Sequence, residues 1–130
     1  MITALYSFGK EIMDKLNIFG KLISEELRDS ALNHYLDIES KWLKSERAKK
    51  LSEKLDEFSE EQKQTIRQLL TQSIDVGIHD FLFALEEGRE DIKIIIDGDN
   101  VAELSDGLQA EPYTSDGWYE KYSQHKEEGI

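Results

Sequence analysis

Residues 92–104, IKIIIDGDNVAEL, place two aspartates, a glycine and an asparagine inside an apolar run. Oxygen ligands at alternating positions are typical of a calcium loop, whose pattern is D-x-[DN]-x-[DN]-G with a glutamate at position twelve. Asp97 and Asp99 fit the first two ligand positions, but Val101 occupies the third and Ala102 stands where glycine is required. Because valine offers no side-chain oxygen, the calcium motif fails, and these residues indicate a hairpin turn.

Two histidines, His34 and His79, are the other candidates for metal chemistry, with Asp75 one helical turn before His79. Di-metal helical bundles place a glutamate three residues before a histidine on each of two helices. Ala31 and Val76 occupy those positions here. We therefore interpret both histidines as buried or boundary residues, and we keep a metal-dependent helical enzyme that uses His34 and His79 as an alternative function.

Other catalytic patterns are missing from the sequence. It has no cysteine, no phosphate-binding glycine loop and no nucleophile elbow. Ser30, His34 and Asp37 resemble a triad only in composition, since a nucleophile and a base one turn apart on the same helix rarely reach attacking geometry. We therefore predict that the protein is not an enzyme and needs no cofactor.

Negative charge is concentrated in the C-terminal third. Residues 1–85 hold 15 acids and 12 bases, a net of −3, whereas residues 86–130 hold 13 acids and 4 bases, a net of −9. Such a surface attracts cationic proteins and repels phosphate backbones and anionic lipids. We predict a basic protein partner, and neither nucleic acid nor a membrane. The predicted partner-binding residues are six acids and two aromatic anchors: Asp97, Asp99, Glu103, Asp106, Glu111, Asp116, Trp118 and Tyr122.

Plainer explanations of these features stay open. The acidity also serves solubility, and Trp118, Tyr119 and Tyr122 would equally close the core over the hairpin. Residues 41–54 hold six bases against two acids. One aromatic in a negatively charged chain is weak support for nucleic-acid binding, so this stretch is a solvated helical face or pairs with the acidic third.

Apolar residues at three- and four-residue steps predict the helices that position these groups: residues 5–19, residues 23–43 with a break near Asp29 and Ser30, and residues 59–87. Trp42 ends the second stripe and is expected to be buried. Ser59 and Gln62 form a capping box, and Gly77 marks a close crossing of another element.

The period changes after Gly88. The isoleucines of residues 92–96 predict a strand, residues 97–100 a tight turn, and Val101–Leu104 the returning strand. Asp116 is expected to cap a short helix over Trp118–Tyr122, and the final residues, SQHKEEGI, to fray.

These elements predict an α+β fold that is predominantly α-helical: a helical bundle with one C-terminal β-hairpin and a short terminal helix. One domain covers residues 1–130, with a helical part over 1–88 and an acidic part over 89–130. The absence of cysteine, of a signal-peptide pattern and of a spanning apolar run predicts a cytoplasmic protein.

The predicted function is a non-enzymatic acidic protein-binding module, of the kind formed by immunity or antitoxin proteins that inhibit a basic partner such as a nuclease toxin. A structural homodimeric domain is a further alternative, and the sequence leaves monomer and homodimer open.

Overall fold

The computed structural model describes residues 14–88 and 91–130. Its N-terminal part is helical: α1 (Lys15–Leu22), a π-helix (Ile23–Asp29), α2 (Ser30–Glu39), α3 (Glu46–Leu55) and α4 (Glu60–Glu86). There follow β1 (Ile95–Ile96), β2 (Asp99–Asn100), the 3₁₀-helices Val101–Leu104 and Leu108–Ala110, and α5 (Trp118–Tyr122). The predicted fold class, predominantly helical α+β with a hairpin and a short terminal helix, is confirmed.

Helix α1, the π-helix and α2 form one continuous helical run. It begins at Asp14, whose carboxylate accepts a hydrogen bond of 2.8 Å from the Asn17 N–H; most of the helix predicted over residues 5–19 lies outside the described residues. The predicted break near Asp29 and Ser30 is wrong, because both residues have helical backbone angles. The wider π-helix turn takes its place and carries Arg28 and Asp29, both buried.

The long helix α4 begins as predicted. The Ser59 hydroxyl accepts from the Gln62 N–H at 3.1 Å, and the Gln62 side chain accepts from the Ser59 N–H at 2.8 Å. The interpretation of Gly77 is wrong: a Cβ placed there would have no neighbouring atom within 4 Å. Its α-carbon faces open space, so close packing does not explain the glycine.

The core lies between one face of α4, the helical run and the segments that follow the hairpin. Its buried members are Phe19, Ile23, Ile78, Leu82, Leu85, Val101, Leu108 and Trp118. The Trp118 indole packs edge-on against Phe19, with ring centroids 5.8 Å apart, and directly over Gly20. A Cβ on Gly20 would lie 2.4 Å from the indole ring, so this glycine makes room for the tryptophan.

The hairpin is shorter than predicted. Ile95 pairs with Asn100 and Ile96 with Asp99, around a two-residue turn in which Asp97 and Gly98 both have positive φ. This is the backbone that a tight hairpin turn requires.

The returning strand predicted over Val101–Leu104 is wrong. The Asn100 side chain accepts a hydrogen bond of 3.1 Å from the Ala102 N–H and caps a 3₁₀-helix instead. Val101 is fully buried by this turn. The Val101 N–H still donates to the Ile94 carbonyl oxygen at 3.0 Å, and strand pairing ends there.

Two expectations at helix ends are also wrong. Trp42 is 73% exposed, because α2 ends at Glu39 and Trp42 lies in the loop that follows, after Lys41 with its φ of 67°. Asp116 does not cap α5, since the N-cap residue is Gly117 and no side chain caps it. None of the described helices is both long and apolar enough to cross a bilayer.

The two helical glycines, Gly20 and Gly77, give opposite predictions. Gly20→Ala is expected to lower the free energy of unfolding by about 1–3 kcal/mol, because the new methyl overpacks against Trp118. Gly77→Ala is the matched control, and it should raise stability by roughly 0.5–1 kcal/mol through helix propensity alone. Urea unfolding followed by circular dichroism measures both; a Gly20→Ala protein as stable as wild type would contradict the packing account.

Candidate functional site

The acidic segment, defined as residues 91–106, holds five acids and one lysine, a net of −4. Its hairpin turn is tied to α1, because the Lys15 ammonium lies 2.6 Å from the Asp99 carboxylate and 3.2 Å from the Asp97 carbonyl oxygen. Just beyond the segment, the Glu86 carboxylate accepts from the Leu108 N–H at 2.8 Å. These contacts hold the segment against α1 at its turn and against α4 just beyond its C-terminal end.

The six predicted acids fall into two groups. Asp97, Glu103, Asp106 and Asp116 are exposed and form no ion pair with a described residue. Asp99 is half exposed but bound to Lys15, and Glu111 accepts a hydrogen bond from the Ser105 hydroxyl. The first group therefore presents free negative charge, whereas the second is engaged within the protein.

The predicted aromatic anchors lie elsewhere than expected. Trp118 is 1% exposed and Tyr119 is fully buried, so the prediction of Trp118 as a surface anchor is wrong. Tyr122 is half-buried and packs against the core. Large rings contribute strongly to a small core, and the interpretation left open in the sequence, in which these rings close the core over the hairpin, is the one observed.

Three aliphatic side chains in the acidic segment are exposed instead: Ile92 (50%), Ile95 (55%) and Leu104 (42%). Ile94 and Ile96 pack against the core, and Ile95 between them faces outwards. The signal was present in the sequence, since strand side chains alternate between faces and a run of isoleucines cannot all be buried by one core. The acidic segment thus combines carboxylates with apolar side chains on its surface.

A buried arginine, which the sequence did not reveal, ties α4 to the C-terminal segment. Arg28 is fully buried, and its guanidinium forms a two-point ion pair with Asp75 at 2.7 and 3.0 Å. It also donates to the Ser123 hydroxyl at 3.2 Å and to the carbonyl oxygens of Lys126 and Glu127. The planar fork of arginine suits this number of acceptors.

Asp29, the next residue, completes the attachment of the C-terminal segment. Its carboxylate accepts from the Ser123 hydroxyl at 2.6 Å and from the Gln124 N–H at 2.7 Å. At the far end, the Ile130 N–H donates to the Thr71 hydroxyl at 3.1 Å. The prediction that residues 123–130 fray is wrong, because their backbone groups satisfy a buried cation and a buried carboxylate.

Two tyrosines lie beside this ion pair. The Arg28 guanidinium carbon sits 3.8 Å from the centre of the Tyr119 ring, and Tyr113 packs edge-on against Tyr119 at 5.6 Å. Burial raises the pKa of both hydroxyls above the usual value, and the Asp75 carboxylate adds to the rise. Both tyrosines therefore stay neutral, and Asp75, with both oxygens bound to Arg28, is poorly placed to act as a base.

A cleft of about 320 Å³ opens next to Asp75. Six of its seven lining residues carry a polar side-chain group, although much of the lining surface is apolar: Gln68, Thr71, Gln72, Asp75, Val76, Tyr113 and Glu128. These described side chains offer carboxylate, amide and hydroxyl oxygens and no cationic group. These oxygens could accept hydrogen bonds from a ligand that carries donor groups.

The two histidines considered for metal binding differ in exposure and in their contacts. His34 is exposed, contrary to the expectation of a buried or boundary residue. His79 is half exposed, with Nδ1 3.1 Å from the Asp80 carboxylate and its ring stacked on Phe83. Across residues 14–88 and 91–130, no group of three or more histidine, aspartate or glutamate side chains is arranged to hold a metal ion.

The structure defines a mainly helical α+β protein with an acidic, partly apolar surface segment and a buried arginine cluster. A model of a family of unknown function (DUF6547) matches residues 11–116, and the chain belongs to this family. No curated protein and no solved structure matches the chain.

The Arg28 cluster leads to a stability prediction. Asp75→Asn leaves the arginine buried without its counter-charge and should lower the free energy of unfolding by roughly 2–4 kcal/mol. This is slightly less than the loss typical of a fully buried ion pair, because the Asp75 side chain is 17% exposed. Asp80→Asn, which removes the same charge from an exposed site on α4, should change it by less than about 0.5 kcal/mol. Denaturant titration compares them, and equal effects would show that net charge, not the ion pair, is responsible.

Proposed function

We propose that the protein is a non-enzymatic binding module whose acidic segment docks a basic protein. The observation that carries this proposal is the exposure of Ile92, Ile95 and Leu104 among unpaired carboxylates. Protein interfaces combine an apolar centre, which supplies much of the affinity, with a charged rim that steers the encounter. The acidic segment has both components, and its attachment to α1 and α4 supports a surface ready for binding.

The roles that we propose for these residues differ from those expected from the sequence. Asp97, Glu103 and Asp106 supply the free charge of the segment, and the three aliphatic side chains replace Trp118 and Tyr122 as anchors. Asp99 and Glu111 maintain the local fold through Lys15 and Ser105. Asp116 lies outside the segment and adds to the surrounding negative field.

The partner class is a basic protein, such as the cationic active site of a nuclease toxin, in a cytoplasmic setting. Carboxylates placed on a surface can occupy positions that a phosphate backbone would take, and inhibition by occupancy needs no catalytic residue. Ordinary interface energetics are sufficient for such a complex: apolar contacts slow dissociation, and charge accelerates association.

The test is capture from the source cell with wild-type protein and with the acid variant Asp97→Asn/Glu103→Gln/Asp106→Asn. We expect a basic protein to be captured by wild type and lost from the acid variant. The matched control Glu25→Gln/Glu26→Gln/Glu57→Gln removes the same charge from exposed positions outside the acidic segment and should retain the basic protein. Identical bound sets for wild type and the acid variant, or a bound set without a basic protein, would refute the proposal.

Titration of the purified captured protein separates charge from apolar contact. The acid variant should weaken binding about tenfold at low salt and much less at high salt, because ions screen the exposed charges. Ile95→Thr keeps a β-branched side chain in the strand but removes apolar area, and its loss of affinity should persist at high salt. An Ile95→Thr protein that binds as tightly as wild type would remove the aliphatic anchors from the proposal.

A further inference from the structure

Helix α3 carries the opposite charge to the acidic segment. Arg47, Lys50 and Lys54 follow three- and four-residue steps, which place them on one side of the helix with Leu51. All four are exposed, Leu51 at 44%, whereas Ala48 and Ser52 face the protein and are buried. We call these four exposed residues the basic face.

The cations of the basic face have no partner inside the described molecule. Lys41, at the start of the basic stretch, pairs with Asp56 at 2.7 Å, but Arg47, Lys50 and Lys54 form no ion pair with any described carboxylate. Pairing between the basic stretch and the acidic third, one of the options left open by the sequence, is therefore not observed among residues 14–88 and 91–130. Helix α3 packs on α2, whereas the segments after β2 pack on α1 and α4.

The two surfaces carry opposite charge, and both also expose apolar side chains. The basic face surrounds an exposed leucine with three cations, and nearby in the chain Trp42 and Phe58 are 73% and 43% exposed. The acidic segment surrounds three exposed aliphatic side chains with carboxylates. Association of such surfaces buries apolar area from both sides while the charges pair at the rim.

We propose that the basic face of one molecule docks the acidic segment of a second copy. This inference rests on the proposed function, because it uses the same acidic surface and names a second copy as a partner for it. The contact joins two different surfaces, so each added copy leaves one acidic segment and one basic face free. Association therefore continues head to tail beyond a dimer as concentration rises, until the chain of copies closes into a ring.

Ionic strength controls this association. The Debye length is about 10 Å at 0.1 M salt and about 3 Å at 1 M, so exposed pairs lose most of their attraction at high salt. The net charge of −12 on each copy opposes contact over longer distances. The complex is thus weak and concentration-dependent, and it is favoured where salt screens the overall repulsion but not the close pairs.

Sedimentation velocity over a concentration series at 0.1 M and 1 M salt tests the proposal. Wild type should form dimers and larger species at the lower salt and return to monomer at the higher. The acid variant and the basic-face variant Lys50→Gln/Lys54→Gln should each remain monomeric. Mixed in equal amounts, they should form a one-to-one dimer and nothing larger, because each retains one intact surface of the pair.

Controls separate the proposed contact from a general effect of charge. Lys21→Gln/Lys49→Gln removes the same charge from exposed lysines outside the basic face and should assemble like wild type. Circular dichroism spectra and unfolding midpoints check that each variant is folded. If the Lys50→Gln/Lys54→Gln variant is not folded, Lys54→Gln alone replaces it and is expected to weaken association about threefold.

Three results would overturn the inference: wild type that stays monomeric at every concentration, a mixture of the two variants that does not form the dimer, or a control that loses assembly like the basic-face variant. The proposed function is distinguishable from it. If wild type is monomeric yet captures a basic protein that the acid variant loses, the docking function stands and self-association is wrong.

Discussion

Burial of the Arg28 guanidinium is the constraint on which much of the structure depends. A cation without water needs a counter-charge and acceptors for its remaining N–H groups, and leaving either unmet costs several kcal/mol. Asp75 supplies the charge from α4, and the Ser123 hydroxyl with two carbonyl oxygens of the C-terminal segment supplies acceptors. One side chain thereby fixes the π-helix, the long helix and the C-terminal segment relative to one another.

The hydrophobic core places a second constraint on the same elements. Trp118 reaches α1 only because residue 20 has no side chain, and Gly117 precedes it where a Cβ would meet the Tyr113 carbonyl oxygen at 2.1 Å. At the start of α5, therefore, a large aromatic ring is buried and the backbone before it is tightly packed. The result is that α5, only five residues long, is held by packing and not by helix propensity.

Local signals made part of this fold predictable from sequence. The capping box at Ser59 and the sustained helical period gave α4 nearly residue for residue, and β-branched residues beside Asp97 and Gly98 located the hairpin. The errors arose where distant contacts decide the outcome. No local pattern reports that Arg28 takes acceptors 95 to 99 residues away, so the final residues looked unanchored. For the surface, the charge was predictable, but which side chains stay exposed depended on how Trp118 filled the core.

This division between buried and exposed groups limits where function can reside. The Arg28 and Asp75 side chains bind each other, and Asp29 binds the C-terminal segment, so these charged groups stabilise the fold. Asp97, Glu103 and Asp106 are free, yet the backbone that carries them is fixed by Lys15, Asn100 and Glu86. A fixed backbone lowers the conformational entropy lost on binding, so the same number of contacts gives a tighter complex than a mobile acidic tail would form. The interior contacts thus support the surface on which the proposed binding depends.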